Sequence, residues 1–571
     1  MRQSRRRSPL LSALALGVFL ASGSASTSAQ WDPATRQWGK TDPDDVRVVA
    51  FNVRDRICST IAKQQAANPW TAIVVQIAAL KPDVVILTEC GDNSGNGSGS
   101  AQGYNTFDTI QRLTDTCNYF MRGGTDAYVT GNPAVTSYVT KFATPGYDLP
   151  YVYVSDQTDN FNRNVVLSRF PLADLNGDGR SSIGTFNLAS DALAPWYTAG
   201  NAGIRGFIFS EISLPDDRYG GDLVFGGAHL KSGSTASDFT ERLQASQRIA
   251  YYIDAIFNGL GGSTPDPRTR STAFPRPNKL LTAKTPVIWG GDFNEDEFTN
   301  ASDGPTLWMT RAQLLSPSTD GTDRDRSDSS FDDSRDVFVP ASRATQGSGS
   351  SKLDYICWQD SIATLRRSFV FRASTMPSTA TPTEFNNYPS LYTNISGASD
   401  HRPVVADFIL PLPDLASGHA LVSPATAAEN LGTSQSLTWT LGQRVTNYTV
   451  VLSTNSDLST PILTQTVAST GPATIAVPTN LLSYCGTYYW TVRANNRAGA
   501  ADSPSGVWSF RIRGLTDLNA DGFVDDTDFV LFAEAYNEFL SSVGDFNGDT
   551  LTDDSDFVIF AAAYEQLIAC P

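Results

Sequence analysis

The sequence predicts an α+β protein built from several modules: a long region of mixed α and β, an all-β sandwich, and a short acidic tail of duplicated loop-helix units. Three observations carry this prediction. From Val46 onward, strand-like apolar runs alternate with helical periodicities. After Pro411 the helical patterns vanish until about residue 528, and short strand signals recur with turn residues between them. DLNADGFVDDTDFVLFAEAY from Asp517 then returns as DFNGDTLTDDSDFVIFAAAY from Asp545. A length of 571 residues also asks for about three to four domains.

The first residues, MRQSRRRSPLLSALALGVFLASGSASTSAQ, combine arginines, an apolar run from Leu10 to Ala21, and small residues ending at Ala29. That layout predicts a secretory signal peptide over 1–29, the run being too short to span a bilayer. No later stretch is apolar enough to cross, so a secreted protein, extracellular or periplasmic, is expected. Export permits disulfides, but Cys58, Cys90, Cys117, Cys357, Cys485 and Cys570 are too sparse for a disulfide scaffold and lack zinc spacing. Of the many pairings they allow, Cys90 with Cys117 would close the Gly-rich loop after Glu89.

In the first region the strand candidates are VRVVAFNV, DVVILTEC, YVYVS, NVVLSRF, GFIFSEISL, DLVFGGAHL, TPVIWGGDF, KLDYICW and PVVADFIL. Helices fit Ile61 to Leu80 and Phe239 to Phe257, where Leu243, Ile249, Ala250 and Ile253 share a face. GDNSGNGSGS lacks the lysine and spacing of a phosphate-cradling loop and reads as a connector.

The chain has only 3 histidines, and two sit in pointed contexts: His229 in FGGAHLKSG and His401 in GASDHRPVV. Between them lie GGDFNED, with Asp292 and Asn294, and SKLDYI, with Asp354. Cleaving a phosphodiester needs a cation to neutralise phosphate, a base to activate water, and donors for charge on the non-bridging oxygens. Asn52 closes VRVVAFN and Glu89 closes DVVILTE. An amide and a carboxylate at one sheet edge are the oxygen-rich ligands that magnesium takes.

In this order FNV, TEC, NVVLSRFPL, AHLKSG, GGDFN, LDYI and SDHRPVV resemble the endonuclease/exonuclease/phosphatase superfamily, over about residues 44–410. The resemblance implies a four-layer α/β/β/α sandwich of the DNase I-like type, with the site at one end. It implies that Asn52 and Glu89 hold Mg2+ or Mn2+, with Asp292 and Asp400 near it. Asp292 and Asn294 would position water and phosphate, while His229 and His401 would hydrogen-bond the phosphate or protonate the leaving oxygen. Asp354 would orient His401. No carboxylate partner for His229 is visible, and Arg242 and Gln244 are expected to cover a helix surface. The implied activity is a secreted metal-dependent phosphodiesterase with nucleic acid as favoured substrate. The same set also serves sphingomyelinase-like lipid phosphodiesterases and phosphatases, and an inert docking protein is the reading from another class.

SLTWTL, NYTVVLS, ATIAVP, TYYWTVRANN and VWSFRI predict a β-sandwich over 414–513. Trp439 and Tyr489 make it similar to fibronectin type III modules, which implies a spacer or a binding module, for instance for carbohydrate. His419 is expected to fall in the linker segment near Pro411–His419.

Residues 514–571 hold ten Asp, three Glu and no Lys or Arg, so they carry −13 of the formal −17. A calcium loop supplies oxygens at positions 1, 3, 5, 7, 9 and 12. Here these are Asp517, Asn519, Asp521, the Phe523 carbonyl, Asp525 and Asp528, then Asp545, Asn547, Asp549, the Leu551 carbonyl, Asp553 and Asp556. Thr550 stands where a glycine makes the turn. The pair, with one helix after each loop, resembles a dockerin module, which implies Ca2+ and docking to a cohesin domain. Asp174, Asn176 and Asp178 in DLNGDGRSS imitate a loop start, but position 12 is Thr185 and no helix follows, so a tight turn is expected.

Overall fold

The computed structural model describes residues 31–54, 57, 69–91, 109–135, 147–155, 163–185, 204–253, 257, 279–300, 304–311, 329–347, 350–386, 398–538, 542–567 and 570. The expected signal peptide, the GDNSGNGSGS connector beyond Gly91 and the part of the first expected helix before Pro69 lie outside the described residues.

In the first module the elements run β1 (Val46–Asn52), α1 (Pro69–Leu80), β2 (Val84–Thr88), α2 (Ile110–Arg122), β3 (Tyr151–Val154), β4 (Val165–Ser168) and β5 (Ser182–Thr185). They continue β6 (Ile204–Ile212), β7 (Leu223–Leu230), α3 (Ala236–Tyr252), β8 (Val287–Asp292), α4 (Pro305–Arg311), β9 (Ser329–Phe331), β10 (Asp354–Gln359), β11 (Thr364–Val370) and β12 (Val404–Ile409). The strands form two 6-stranded sheets, ordered β11-β12-β1-β2-β4-β3 and β9-β10-β8-β7-β6-β5.

Strand alternation decides which side chains meet. Val46, Val48 and Ala50 of β1, Val84 and Ile86 of β2, Phe225 of β7, Ile288 of β8 and Ile356 of β10 all enter one core between the sheets. The intervening Val49, Phe51, Val85 and Leu87 face outward and pack under α1 and α2. Val224, Val287, Trp289 and Cys357 do the same beneath α3 and α4. Four layers follow, in the order helix, sheet, sheet, helix. The central strands are buried on both faces, which is why they read as nearly continuous apolar runs. A ribbon of Trp31–Asp32 with Gln37–Trp38 joins this module ahead of residue 44. Trp38 Nε1 donates to the Ala380 carbonyl at 2.8 Å.

One ion pair is sealed inside the first sheet. Arg47 of β1 meets Asp407 of β12 through Nε at 2.6 Å and a second guanidinium nitrogen at 2.8 Å, both side chains fully buried. Its remaining donors reach the carbonyls of Trp38, Gly39 and Leu80. The guanidinium is thus satisfied, as a buried charge must be.

The second module is a sandwich of a 3-stranded and a 6-stranded sheet between Leu421 and Ile512. Trp439 is in its core. Tyr488, Trp490, Val492 and Ala494 face inward too, which puts Tyr489 on the opposite face. His419 is buried against the Tyr448 ring and belongs to this core rather than to a linker.

In the tail, α5 (Asp526–Glu538) and α6 (Asp554–Tyr564) pack through Phe532 and Phe560. Tyr536 reaches Asp554, and its repeat counterpart Tyr564 reaches Asp526, so the duplicated sequence folds into a reciprocal pair. A disulfide joins Cys485 of the sandwich to Cys570. No disulfide joins Cys90 to Cys117; both are buried in the core under α1 and α2. Among the described residues no helix is long and apolar enough to cross a membrane.

Candidate active site

The inward positions of the central strands are apolar until the strands end, and there they turn polar. In β1 the next inward position after Ala50 is Asn52. In β7 it is His229, in β8 Asp292, and in β10 Asp354 stands just ahead of Ile356. Asp292 is in register with His229 on one side and Asp354 on the other, so the three form one row across neighbouring strands. Strands β1 and β2 are parallel, as are β7 and β8, whereas β12 and β10 run antiparallel to β1 and β8. The starts of β10 and β12 therefore reach the same edge as the ends of the others, and His401 arrives just before β12.

Glycines let β7 and β8 approach at this edge. Gly227 lies at φ 156, and a Cβ there would sit 1.7 Å from the Gly290 carbonyl oxygen. Only glycine fits, which accounts for the doubled glycine ahead of His229.

Asn52 Nδ2 donates to Glu89 Oε1 at 3.0 Å and to Asp292 Oδ2 at 2.9 Å. Its Oδ1 accepts from the Arg54 amide, so as placed Asn52 spaces the two carboxylates rather than offering them an oxygen. His229 Nε2 is 3.3 Å from Glu89 Oε1 and 3.7 Å from Asp292 Oδ2. Glu89 Oε1 is the nearer of these two carboxylate oxygens to His229 Nε2. His401 Nδ1 meets Asp354 Oδ2 at 2.8 Å, and its Nε2 lies 3.5 Å from Asp292 Oδ2. Asp292 Oδ2 is thus the common neighbour of Asn52, His229 and His401.

Asn294 is held by its own amide, Nδ2 donating to the Leu230 carbonyl at 3.0 Å. Glu89 and Asn294 both have left-handed backbone, at φ 54 and 55. An asparagine tolerates this; a glutamate pays about 1 kcal/mol, and such strain gathers at functional sites. Asp400 stands apart from the cluster, its carboxylate 3.6 Å from Arg54 and more than one-third exposed.

Electrostatics follow from burial. Asp292 is pushed up mainly by loss of solvent, and Asp354 and Glu89 add to this against the pull of His401 and Asn52. Burial alone would lower His401, but Asp354 and Asp292 override it and hold the imidazole well above its ordinary value. The donor set suits a divalent cation. Glu89, His229 and Asp292 bring ligand atoms within 4.8 Å of one another, as do Asp292, Asp354 and His401. Carboxylates gathered this closely in a buried place are what a cation relieves.

Three supporting residues escaped the sequence. Ser399 donates to the Asn52 carbonyl at 2.7 Å and accepts from the His401 amide at 3.0 Å, tying β1 to the SDH turn. Arg242 does not cover a helix surface: it is buried, paired with Glu295 at 2.7 Å, and donates to the Lys231 and Gly233 carbonyls. It pins the segment after His229. Glu295, directly after Asn294, could have signalled a partner.

In the tail, Asp517, Asp521 and Asp528 converge within 4.8 Å, as do Asp545, Asp549 and Asp556. Asp528 accepts from the Leu518 and Asn519 amides, and Asp556 from Phe546 and Asn547. Asn519 and Asn547 accept from the amides of Asp521 and Asp549. Asp525 and Asp553 accept from Thr527 and Ser555 at the helix starts.

No family model matches the chain, and no curated protein matches it. Among solved structures, an endonuclease/exonuclease/phosphatase from Beutenbergia cavernae aligns at 14% identity and TM-score 0.32, over 82% of this chain and 100% of its own. The human Nocturnin catalytic domain with bound sulfate aligns at 13% and 0.33, over 64% and 93%. An endonuclease/exonuclease/phosphatase family protein from Bacteroides thetaiotaomicron aligns at 12% and 0.33, over 64% and 94%. Similarity this low carries no argument about activity, which rests on the side chains themselves.

Proposed function

We propose that the first module is a divalent-metal-dependent phosphodiester hydrolase, a nuclease of the DNase I-like kind, exported by its N-terminal leader. The observation that carries this reading is the position of Asp292, a buried carboxylate between two histidines, with Asn52 and Glu89 beside it. Glu89 and Asp292 would hold Mg2+ or Mn2+, with Asn52 fixing the spacing of the two carboxylates. When bound, the cation supplies positive charge to the phosphate and lowers the cost of its attack.

The chain's own groups do the rest. Asp354 fixes the His401 tautomer and keeps Nε2 protonated, so that Nε2 donates to a non-bridging phosphate oxygen. Asp292 Oδ2, aligned by Asn52, accepts the proton of the attacking water. The water oxygen bonds to phosphorus, the ester P–O bond breaks, and the leaving oxygen takes a proton from His229 Nε2. Asn294 is held beside Leu230, and Asp400 pairs with Arg54.

The tail fits a second role, calcium-dependent attachment of the dockerin kind to a cohesin partner. Phe529 and Val530 on α5 and their counterparts Phe557 and Val558 on α6 are exposed apolar residues at repeat-related positions. Two matched apolar faces favour docking.

Substrate is tested by incubating the mature protein with plasmid DNA, RNA and sphingomyelin, with and without magnesium, beside His401→Ala. DNA or RNA cleavage that needs magnesium and falls about 10²–10⁴-fold in the variant supports the nuclease reading. Sphingomyelin cleavage alone would replace it with the lipid phosphodiesterase, and cleavage of nothing with the docking protein.

A further inference from the structure

Far from the active edge, the loop that leads from β4 to β5 repeats the calcium-loop architecture of the tail, with its last ligand supplied by another strand. Asp174 Oδ1 accepts from the Gly177 and Asp178 amides, and its Oδ2 from Gly179. The tail loops do the same: Asp517 accepts from Asp521 and Gly522, and Asp545 from Gly548, Asp549 and Thr550. Asn176 Oδ1 accepts from Asp178 and Asp178 Oδ1 from Arg180, just as Asn519 and Asp521 serve Asp521 and Phe523.

The element missing from the sequence is position 12, which Thr185 cannot fill. Glu211 of β6 takes that place. Its Oε2 accepts from the Leu175 and Asn176 amides, at 2.5 and 3.0 Å. Those are the counterparts of the amides that Asp528 and Asp556 accept in the tail. Strand β6 also grips both ends of the loop, Ala173 donating to the Glu211 carbonyl and Glu211 to the Ser181 carbonyl.

Loop geometry alone would allow an ordinary turn. Two buried oxygens argue otherwise. Glu211 is 1% exposed and its Oε1 has no hydrogen-bond partner; Asp178 is 6% exposed and its Oδ2 has none. Both belong to carboxylates whose other oxygen already caps this loop. Buried carboxylate oxygens without donors are costly unless a cation meets them.

We propose that Asp174, Asn176, Asp178, the Arg180 carbonyl and Glu211 form a calcium site. Hard oxygens in this order are the ligands calcium takes. The site is structural. Strand β4 ends where β2 begins, and β6 ends where β7 begins, so Asp174 and Glu211 lie at the edge opposite Asp292. There the bound ion would fasten the loop leaving the first sheet to a strand of the second.

Calorimetry of the full chain, stripped with chelator and titrated with calcium, counts the ions bound. Glu211→Gln keeps an oxygen for the two amides and removes the charge; Asp178→Asn does the same for Arg180. Each folded variant is expected to bind one calcium fewer than its parent, whatever the tail binds. An unchanged count in a folded variant overturns the site. Hydrogen exchange of the unaltered chain decides without any variant. Calcium is expected to slow exchange of the Asp174–Arg180 amides about tenfold or more, and unchanged exchange there overturns the proposal.

Discussion

His401 Nδ1 lies 2.8 Å from Asp354 Oδ2, inside the sheet edge, with Asp354 fully buried. The pair sets the tautomer of the imidazole and, with Asp292, raises its proton affinity above that of a free histidine. The imidazolium therefore persists below the raised folded pKa and is lost as pH climbs through it. Asp354→Asn is expected to lower kcat by about 10²–10⁴-fold and to move the alkaline limb of the pH profile to lower pH. Rate measurements across pH check both. A slowed enzyme with an unmoved limb would show Asp354 to be merely structural.

Arg47 and Asp407 give a prediction about stability. Asp407→Ala leaves the guanidinium buried without its carboxylate and is expected to cost about 3–5 kcal/mol. Replacing both, Arg47→Met with Asp407→Leu, is expected to recover much of that loss. Denaturant unfolding of the two variants makes the comparison. Equal losses would mean that the ion pair matters through packing alone.

Much of this was legible in the chain because strand alternation is local. Val46, Val48 and Ala50 are apolar and inward, so Asn52 had to face the same way, and the same count places His229 and Asp292. The pairing of His229 with Glu89 was not legible, because register between β2 and β7 is set by how two sheets stack. Strand β11, TLRRSFV, was missed because it is an edge strand whose arginines face solvent or ion partners. Strands β5 (SIGT) and β9 (SSF) are short and hold one large apolar residue each, which reads as loop. Glu211 was invisible as a loop ligand for a similar reason: a template that expects position 12 nearby cannot see a ligand from another strand.

In the tail, Thr550 holds φ 77, the left-handed conformation that Gly522 takes at φ 91. A β-branched residue there is strained by about 1–2 kcal/mol. The calcium binding proposed for the second tail loop is expected to tighten by about fivefold in Thr550→Gly, the equivalent of about 1 kcal/mol. Calorimetric titration reads the change, and an equal or weaker affinity would contradict it.

Cys485 and Cys570 close a long loop that encloses the whole tail, tying its end to the sandwich. Cys570→Ser is expected to destabilise the tail by about 2–5 kcal/mol with little effect on the first module. Non-reduced peptide mapping should recover this pair and no Cys90–Cys117 peptide. Recovery of the latter would overturn the assignment.

The central claim is that Asp292, between the two histidines, is where phosphodiester cleavage happens. The direct measurement is magnesium-dependent hydrolysis of bis(p-nitrophenyl) phosphate by the mature chain and by Asp292→Asn, with thermal unfolding of both. The expected result is turnover that chelator abolishes and that drops about 10²-fold or more in the variant, with unfolding at a similar temperature. Turnover that survives in a folded Asp292→Asn, or that ignores the chelator, would contradict the account.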